Sequence, residues 1–178
     1  LQHIGAPGLQ ACGADWKNAC LEACQFQDAD MEGAYFADVL LKGSDLSNAV
    51  FKSCSFNRVA FEDCKLTGAN FFDSNFNDVE FTGCVAEYAM FTAVTARYLS
   101  FKECRLREMQ FNEVTGKEYG FTDCDLKRVN FHRTPLAGVN FVGSDISGIT
   151  VSAAELKGAT VGVEQACELA KLLGVIVV

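Results

Sequence analysis

Nine cysteines, two histidines and 23 acidic residues are the side chains of this 178-residue chain with the widest chemical reach. Thiols and imidazoles hold metals or carry redox and nucleophilic chemistry when they converge. Five of the cysteines, Cys24, Cys64, Cys84, Cys104 and Cys124, stand at multiples of twenty residues, and Ser44 and Ser144 fall in the same series. A metal or redox ladder needs paired ligands, yet C-x-x-C pairs are absent and His3 and His132 lie outside the series. A small side chain recurring at fixed spacing reads instead as core packing, where a free cysteine acts as a small hydrophobe. No nucleophile with a paired histidine, phosphate loop or metal motif is legible. The chain is therefore read as non-enzymatic, with no catalytic residue, metal or cofactor. Reduced buried thiols point to the cytoplasm, and no apolar run approaches the ~20 residues that cross a bilayer.

The element that positions these thiols is a five-residue register. It runs from Trp16 through Leu21, Phe26, Met31, Phe36 and Leu41 to Phe141 and Val161, and fourteen of the fifteen phenylalanines fall on it, Phe72 alone standing off. A second series of small residues runs two positions earlier, as Ala14, Ala19, Cys24, Ala29 and Ala34. A period of five fits neither the helix period of 3.6 nor the strand period of 2. It implies a solenoid that turns one corner per five residues. Three large positions hold Ala86, Ala96 and Gly116. Leu99 and Tyr119, oversized for the small position, follow the last two and would conserve core volume. Ala86 has no such partner, which leaves a local narrowing or a dent lined by Tyr88 and Tyr98.

The unit small-polar-large-polar-polar, as in Ala69-Asn70-Phe71-Phe72-Asp73 and Val129-Asn130-Phe131-His132-Arg133, resembles the pentapeptide-repeat family over about residues 14 to 161. The resemblance implies an all-β fold, a right-handed quadrilateral β-helix with four pentapeptides per coil and both inward series in the core. Residues twenty apart should then stack. The cysteine column does so, as do Val39, Val59, Val79, Leu99, Tyr119 and Val139, and Ala29, Ala49, Ala69 and Ala89. Asp30, Asp45, Asn70, Asp125, Asn130, Asn140 and Asp145, each just before a large residue, suit corners where short polar side chains bond local backbone.

Charge follows the same geometry. The net charge is −8, and residues 1–96 carry thirteen acids against five bases while residues 97–133 carry six against eight. Sorted by side, the face built on Leu21, Leu41, Phe61, Phe81, Phe101, Phe121 and Phe141 has Glu22, Glu62, Asp63, Glu80, Glu103 and Asp123 against Lys42 and Lys102. That face is expected to meet a basic partner surface. The overall sign disfavours direct nucleic-acid binding.

The organisation reads as an N-terminal segment over residues 1–13, the β-helix over 14–162, and a C-terminal helix and tail over 163–178. Ala166, Leu169, Ala170 and Leu173 follow helical spacing, Gly174 stops the helix, and Val175, Ile176 and Val177 lead to the last residue. Exposed aliphatic residues at a terminus need a partner, so these seven are assigned to a two-fold dimer interface. The stretch Leu156-Lys157-Gly158-Ala159-Thr160-Val161-Gly162-Val163-Glu164-Gln165-Ala166, followed by Leu172-Leu173-Gly174-Val175, is similar to the ends of the Qnr, mycobacterial fluoroquinolone-resistance and microcin B17 immunity group. That resemblance implies end-to-end homodimers that mimic duplex DNA and bind DNA gyrase or topoisomerase IV, protecting or inhibiting it. The continuous register here lacks the loops of enterobacterial Qnr proteins, so it resembles the loop-free members. A pentapeptide-repeat scaffold for another protein partner is the alternative.

Overall fold

The computed structural model describes residues 1–172 and 174–177. Six parallel strands form one sheet in chain order: β1 (Asp15–Glu22), β2 (Tyr35–Lys42), β3 (Ser55–Glu62), β4 (Asn75–Thr82), β5 (Thr95–Lys102) and β6 (Thr115–Thr122). Each residue pairs with the one twenty further on, as Asp15 with Tyr35 and Phe36 with Phe56. Single bridges build the remaining sides with the same offset, for example Gln25–Asp45–Lys65 and Asp30–Val50–Asn70. The result is a four-sided parallel β-solenoid. Its ladder starts at Gln2 and ends at Thr160, which at twenty residues per coil makes about eight coils and a rod of roughly 38 Å at the ~4.8 Å strand spacing.

The first thirteen residues are not a separate segment. Gln2, Gly5 and Gln10 bridge to Glu22, Gln25 and Asp30, so residues 1–13 extend the solenoid. Ile4, Ala6, Leu9 and Ala11 pack against the core at the expected inward positions. Alanine at the large positions 6 and 11 is what hid this coil from the sequence pattern.

The corners follow one rule. From residue 3 to residue 148, every fifth residue has positive φ, including Asp38 at 57°, Asp63 at 51° and Arg128 at 57°. Such a conformation costs about 1–2 kcal/mol for a non-glycine residue, and the ladder on both sides holds it in place. The aspartates and asparagines prepare each corner. All seven named from sequence accept a hydrogen bond from the backbone N–H two residues on, at 3.0 to 3.3 Å. They stand before the bend, which itself falls three residues later.

Inside, the phenylalanines stack along the rod. Phe51 and Phe71 are 4.8 Å apart and Phe61 and Phe81 4.4 Å apart, with rings within 7° of parallel. Ala86, Ala89, Ala96 and Leu99 are buried. The dent between Tyr88 and Tyr98 does not form: Tyr88 lies beside Arg107 and Arg128, Tyr98 beside Arg58 and Arg97. Gly116 behaves differently from the alanines. It is exposed and has φ +110°, and a Cβ there would lie 2.0 Å from the Ala96 carbonyl oxygen. Tyr119 turns into the space beside it, with its ring edge-on to Phe111 at 5.6 Å and its hydroxyl donating to the Pro135 carbonyl.

A helix, α1 (Val163–Leu172), closes the C-terminal end. Gly162 opens it, with its N–H donating to Gln165 Oε1 at 2.7 Å in a capping-box arrangement. Gln165 Nε2 donates in turn to the carbonyls of Phe141 and Ser144, both at 2.7 Å, and so pins the helix over the last coil. Leu169 packs on the core. At the far end Gly174 N–H donates to Lys171 O and Val175 N–H to Ala170 O. No described helix is long and apolar enough to cross a membrane.

Candidate partner-binding surface

The solenoid brings Glu22, Glu62, Asp63, Glu80, Glu103 and Asp123 onto one side and its corner, because they fall at three neighbouring places in the twenty-residue repeat. Their environments divide them. Glu62 pairs with Lys42 at 2.9 Å, and Glu80 with Lys102 at 2.9 Å. The Lys102 ammonium and then the Thr82 hydroxyl hold the Glu80 carboxyl below its ordinary range. These pairs use both lysines of the face. Glu22 accepts only a neutral hydrogen bond, from Gln2 Nε2. Asp63, Glu103 and Asp123 form no ion pair among the described residues, and all three are exposed.

These three occupy one corner column, with φ of 51°, 52° and 52°. Glycine follows both aspartates of the column. Gly83 follows Asp63 and Gly143 follows Asp123, and a Cβ at either glycine would come within 2.5 or 2.6 Å of the aspartate Oδ1 of the preceding coil. The glycines leave room for each carboxylate to lie over the next coil. Asp63 and Glu103 are two coils apart and Glu103 and Asp123 one, roughly 10 Å and 5 Å at the strand spacing. A strand of duplex DNA carries one phosphate per ~3.4 Å of axis. The column therefore presents discrete carboxylates, spaced more widely than the phosphates of a DNA strand.

Elsewhere some acids are paired from coil to coil. Arg58 reaches Asp38 through two nitrogens, at 2.6 and 2.7 Å, and Arg128 and Arg133 pair with Glu108 and Glu113 of the previous coil. Exposed pairs of this kind each contribute about 0–1 kcal/mol, so they set surface charge more than stability.

Of the proposed dimer residues, Ala166, Val175, Ile176 and Val177 are exposed, and Ala170 is half-buried. Leu169 is turned towards its own core. Leu173 lies outside the described residues. Val163 and Leu172 add to the exposed apolar surface at 83% and 50% exposure. Sequence reasoning missed Gln165, although glutamine three residues after a helix-opening glycine is a readable capping signal.

Residues 14–91 match the family described as Pentapeptide repeat region, and residues 121–160 match Pentapeptide repeats (8 copies). The chain is a pentapeptide-repeat protein. No curated protein matches it. Among solved structures it is similar to a trypsin-treated form of QnrB1, a plasmid-mediated fluoroquinolone resistance protein, at 20% identity over 99% of each chain with a TM-score of 0.49. It is also similar to HetL from the cyanobacterium Nostoc sp. strain PCC 7120, at 19% identity over 89% of this chain and 90% of that one, TM-score 0.40. Rfr23 from the cyanobacterium Cyanothece 51142 matches at 12% identity over 89% and 91%, TM-score 0.35.

The cysteines of this pentapeptide-repeat protein are core side chains. Cys64, Cys84 and Cys104 donate to the carbonyls of Leu41, Phe61 and Phe81 at 3.3 to 3.4 Å. Burial pushes the Cys54 thiol up to about 12. Among the described residues, no three His, Cys, Asp or Glu side chains are placed to hold a metal ion. A thiol reagent at pH 8 is expected to label the exposed Cys12 and Cys20 first and Cys167 next. The six buried thiols should react only after unfolding. Mass spectrometry of the native protein checks this, and early labelling of Cys54 or Cys84 would contradict it.

Proposed function

We propose that this pentapeptide-repeat protein is a non-catalytic binding module that occupies the DNA-binding surface of a type II topoisomerase, DNA gyrase, and thereby inhibits it or shields it from a poison. The observation that carries this reading is the column of Asp63, Glu103 and Asp123. None of the three has an ion-pair partner among the described residues, whereas Glu62 and Glu80 on the adjoining side pair with Lys42 and Lys102. A surface that grips phosphates does so through lysine and arginine, and carboxylates held at fixed spacing offer the same groups a partner. The likeness of the C-terminal stretch to the Qnr group supports choosing a topoisomerase among DNA-binding proteins. The test is displacement of a fluorescent DNA duplex from gyrase by the purified protein. Release that weakens as salt rises supports the reading, and undisturbed duplex at excess protein contradicts it.

In this reading two rods join at their C-terminal ends. Leu172, Val175, Ile176 and Val177 lie exposed beyond the last coil at 50%, 52%, 86% and 43%, an apolar end suited to an isologous contact. Removing residues 164–178 is expected to convert a dimer into a monomer or an aggregate, because it also uncovers the last coil. Light scattering checks it, and an intact dimer would refute the seam.

A second reading, a scaffold for a different protein, is favoured by Arg97 and Lys117. They stack in adjacent strands and form no ion pair among the described residues, so the surface is not uniformly acidic.

A further inference from the structure

A groove runs along the outside of the rod, beside the corner built by Asp38, Arg58, Asp78, Tyr98 and Glu118. All five have φ between 53° and 62°. Two residues after each corner, Leu40, Ala60, Ser100 and Gly120 face outwards and are half-buried. Tall corner side chains beside this mostly short row leave a channel of about 740 Å³. From Asp38 to Glu118 it crosses four coil steps, roughly 19 Å at the strand spacing.

The channel stays negative after its ion pairs are counted. Asp38, Asp78, Glu80 and Glu118 line it with one cation, Arg58. Arg58 spends two nitrogens on Asp38, at 2.6 and 2.7 Å, and Glu80 is held by Lys102 at 2.9 Å. Asp78 and Glu118 are exposed and form no ion pair among the described residues. Arg97 and Lys117 lie beyond the corner, on the adjoining side, and do not line the channel. Asp78 and Glu118 stand two coils apart, roughly 10 Å. The Tyr98 corner falls between them, and its side chain is 48% exposed.

The backbone of this side has no ladder bond to offer. Strands β2 to β5 are paired on both edges, so a ligand cannot add as a strand and must satisfy its own peptide groups. A polyproline-II segment does so, because water solvates its backbone. It rises 3.1 Å per residue with three residues per turn, so every third side chain returns to one edge about 9 Å further on. That step matches the ~10 Å between Asp78 and Glu118. Its pyrrolidine rings suit an exposed tyrosine, as in the aromatic-lined grooves that take proline-rich chains.

We infer that this channel docks a proline-rich segment of a partner protein that carries lysine or arginine at every third residue. Two successive cations would meet Asp78 and Glu118, and the prolines between them would pack on Tyr98 above Ser100. The inference is independent of the topoisomerase reading, whose carboxylates stand on the opposite corner of this side.

The probe is a fluorescein-labelled peptide of four Pro-Pro-Lys units. Fluorescence anisotropy should show saturable binding to the wild-type protein that weakens as salt rises. Asp78→Asn/Glu118→Gln and, separately, Tyr98→Ala should each bind at least about tenfold more weakly. Alanine is tolerated at such corners, since Ala23 and Ala93 hold them with φ of 50° and 58°. Circular dichroism verifies that each variant is folded. Asp28→Asn/Asp73→Asn removes the same charge from other exposed corners and should stay within about twofold of the wild type. Four Gly-Gly-Lys units carry the same cations on a flexible chain and should bind at least about fivefold more weakly. Equal binding by the channel variants overturns the inference, as does equal binding of four Pro-Pro-Glu or four Gly-Gly-Lys units. An equal loss in Asp28→Asn/Asp73→Asn would reduce the attraction to net charge and overturn the site. Absence of binding up to about 1 mM peptide overturns it as well.

Discussion

Replacing Phe71 with alanine is expected to destabilise the rod by about 3–5 kcal/mol, the range for emptying a fully buried aromatic site. Phe71 is completely buried near the middle of the solenoid. Its ring stacks on Phe51 at 4.8 Å and on Phe91 at 4.6 Å, and meets Phe61 and Phe81 edge-on at 6.4 and 6.2 Å. The neighbours cannot collapse into the gap, because the ladder fixes each coil at the strand spacing. Phe72 supplies the control. It is the phenylalanine off the register and is 43% exposed, so Phe72→Ala should change stability by no more than about 0.5 kcal/mol. Urea unfolding followed by circular dichroism measures both. Equal effects would contradict the inward assignment on which every column rests.

The second large effect concerns binding. Changing Asp63, Glu103 and Asp123 together to lysine is expected to weaken gyrase binding at least about 100-fold. Each reversal turns an attraction into a repulsion of ~1 kcal/mol at 4 Å in water, and three of them exceed the ~2.8 kcal/mol that a 100-fold change requires. The fold should tolerate the change. None of the three has an ion partner to lose among the described residues, and Arg58, Arg128 and Arg133 already occupy equivalent corners with φ of 53° to 57°. The melting temperature should therefore move by a few degrees at most. Glu62 and Glu80 are poorer targets, because reversing them also strips Lys42 and Lys102 of their partners. Isothermal titration with purified gyrase, beside a thermal melt, separates lost binding from lost structure.

The fold was legible because its rule is local and repeated. Phenylalanine at every fifth position marks the inward side chains, and residue types shared at twenty-residue spacing mark the coil. The Asx bonds of Asp30, Asn70 and Asn140 could be foreseen for the same reason: each joins atoms two residues apart. What escaped depends on contacts between coils or on exceptions to the rule. Ile4 to Ala11 keep the register but carry alanine where bulk is expected, so only the bridges to Glu22, Gln25 and Asp30 reveal their coil. The division of the acidic face into paired and free carboxylates needed side-chain positions, since Lys102 reaches Glu80 across 22 residues, where Lys42 meets Glu62 across twenty. Gln165 likewise gains its role from two carbonyls more than twenty residues away.

The most direct measurement is DNA supercoiling by gyrase, with wild-type protein and the Asp63→Lys/Glu103→Lys/Asp123→Lys variant titrated in parallel. If carboxylates on this column stand in for phosphates, the wild type suppresses supercoiling in a dose-dependent way and the folded variant does not. Suppression by both proteins at the same concentration would contradict the acidic column as the contact. Suppression by neither, with both folded, would contradict the topoisomerase reading itself.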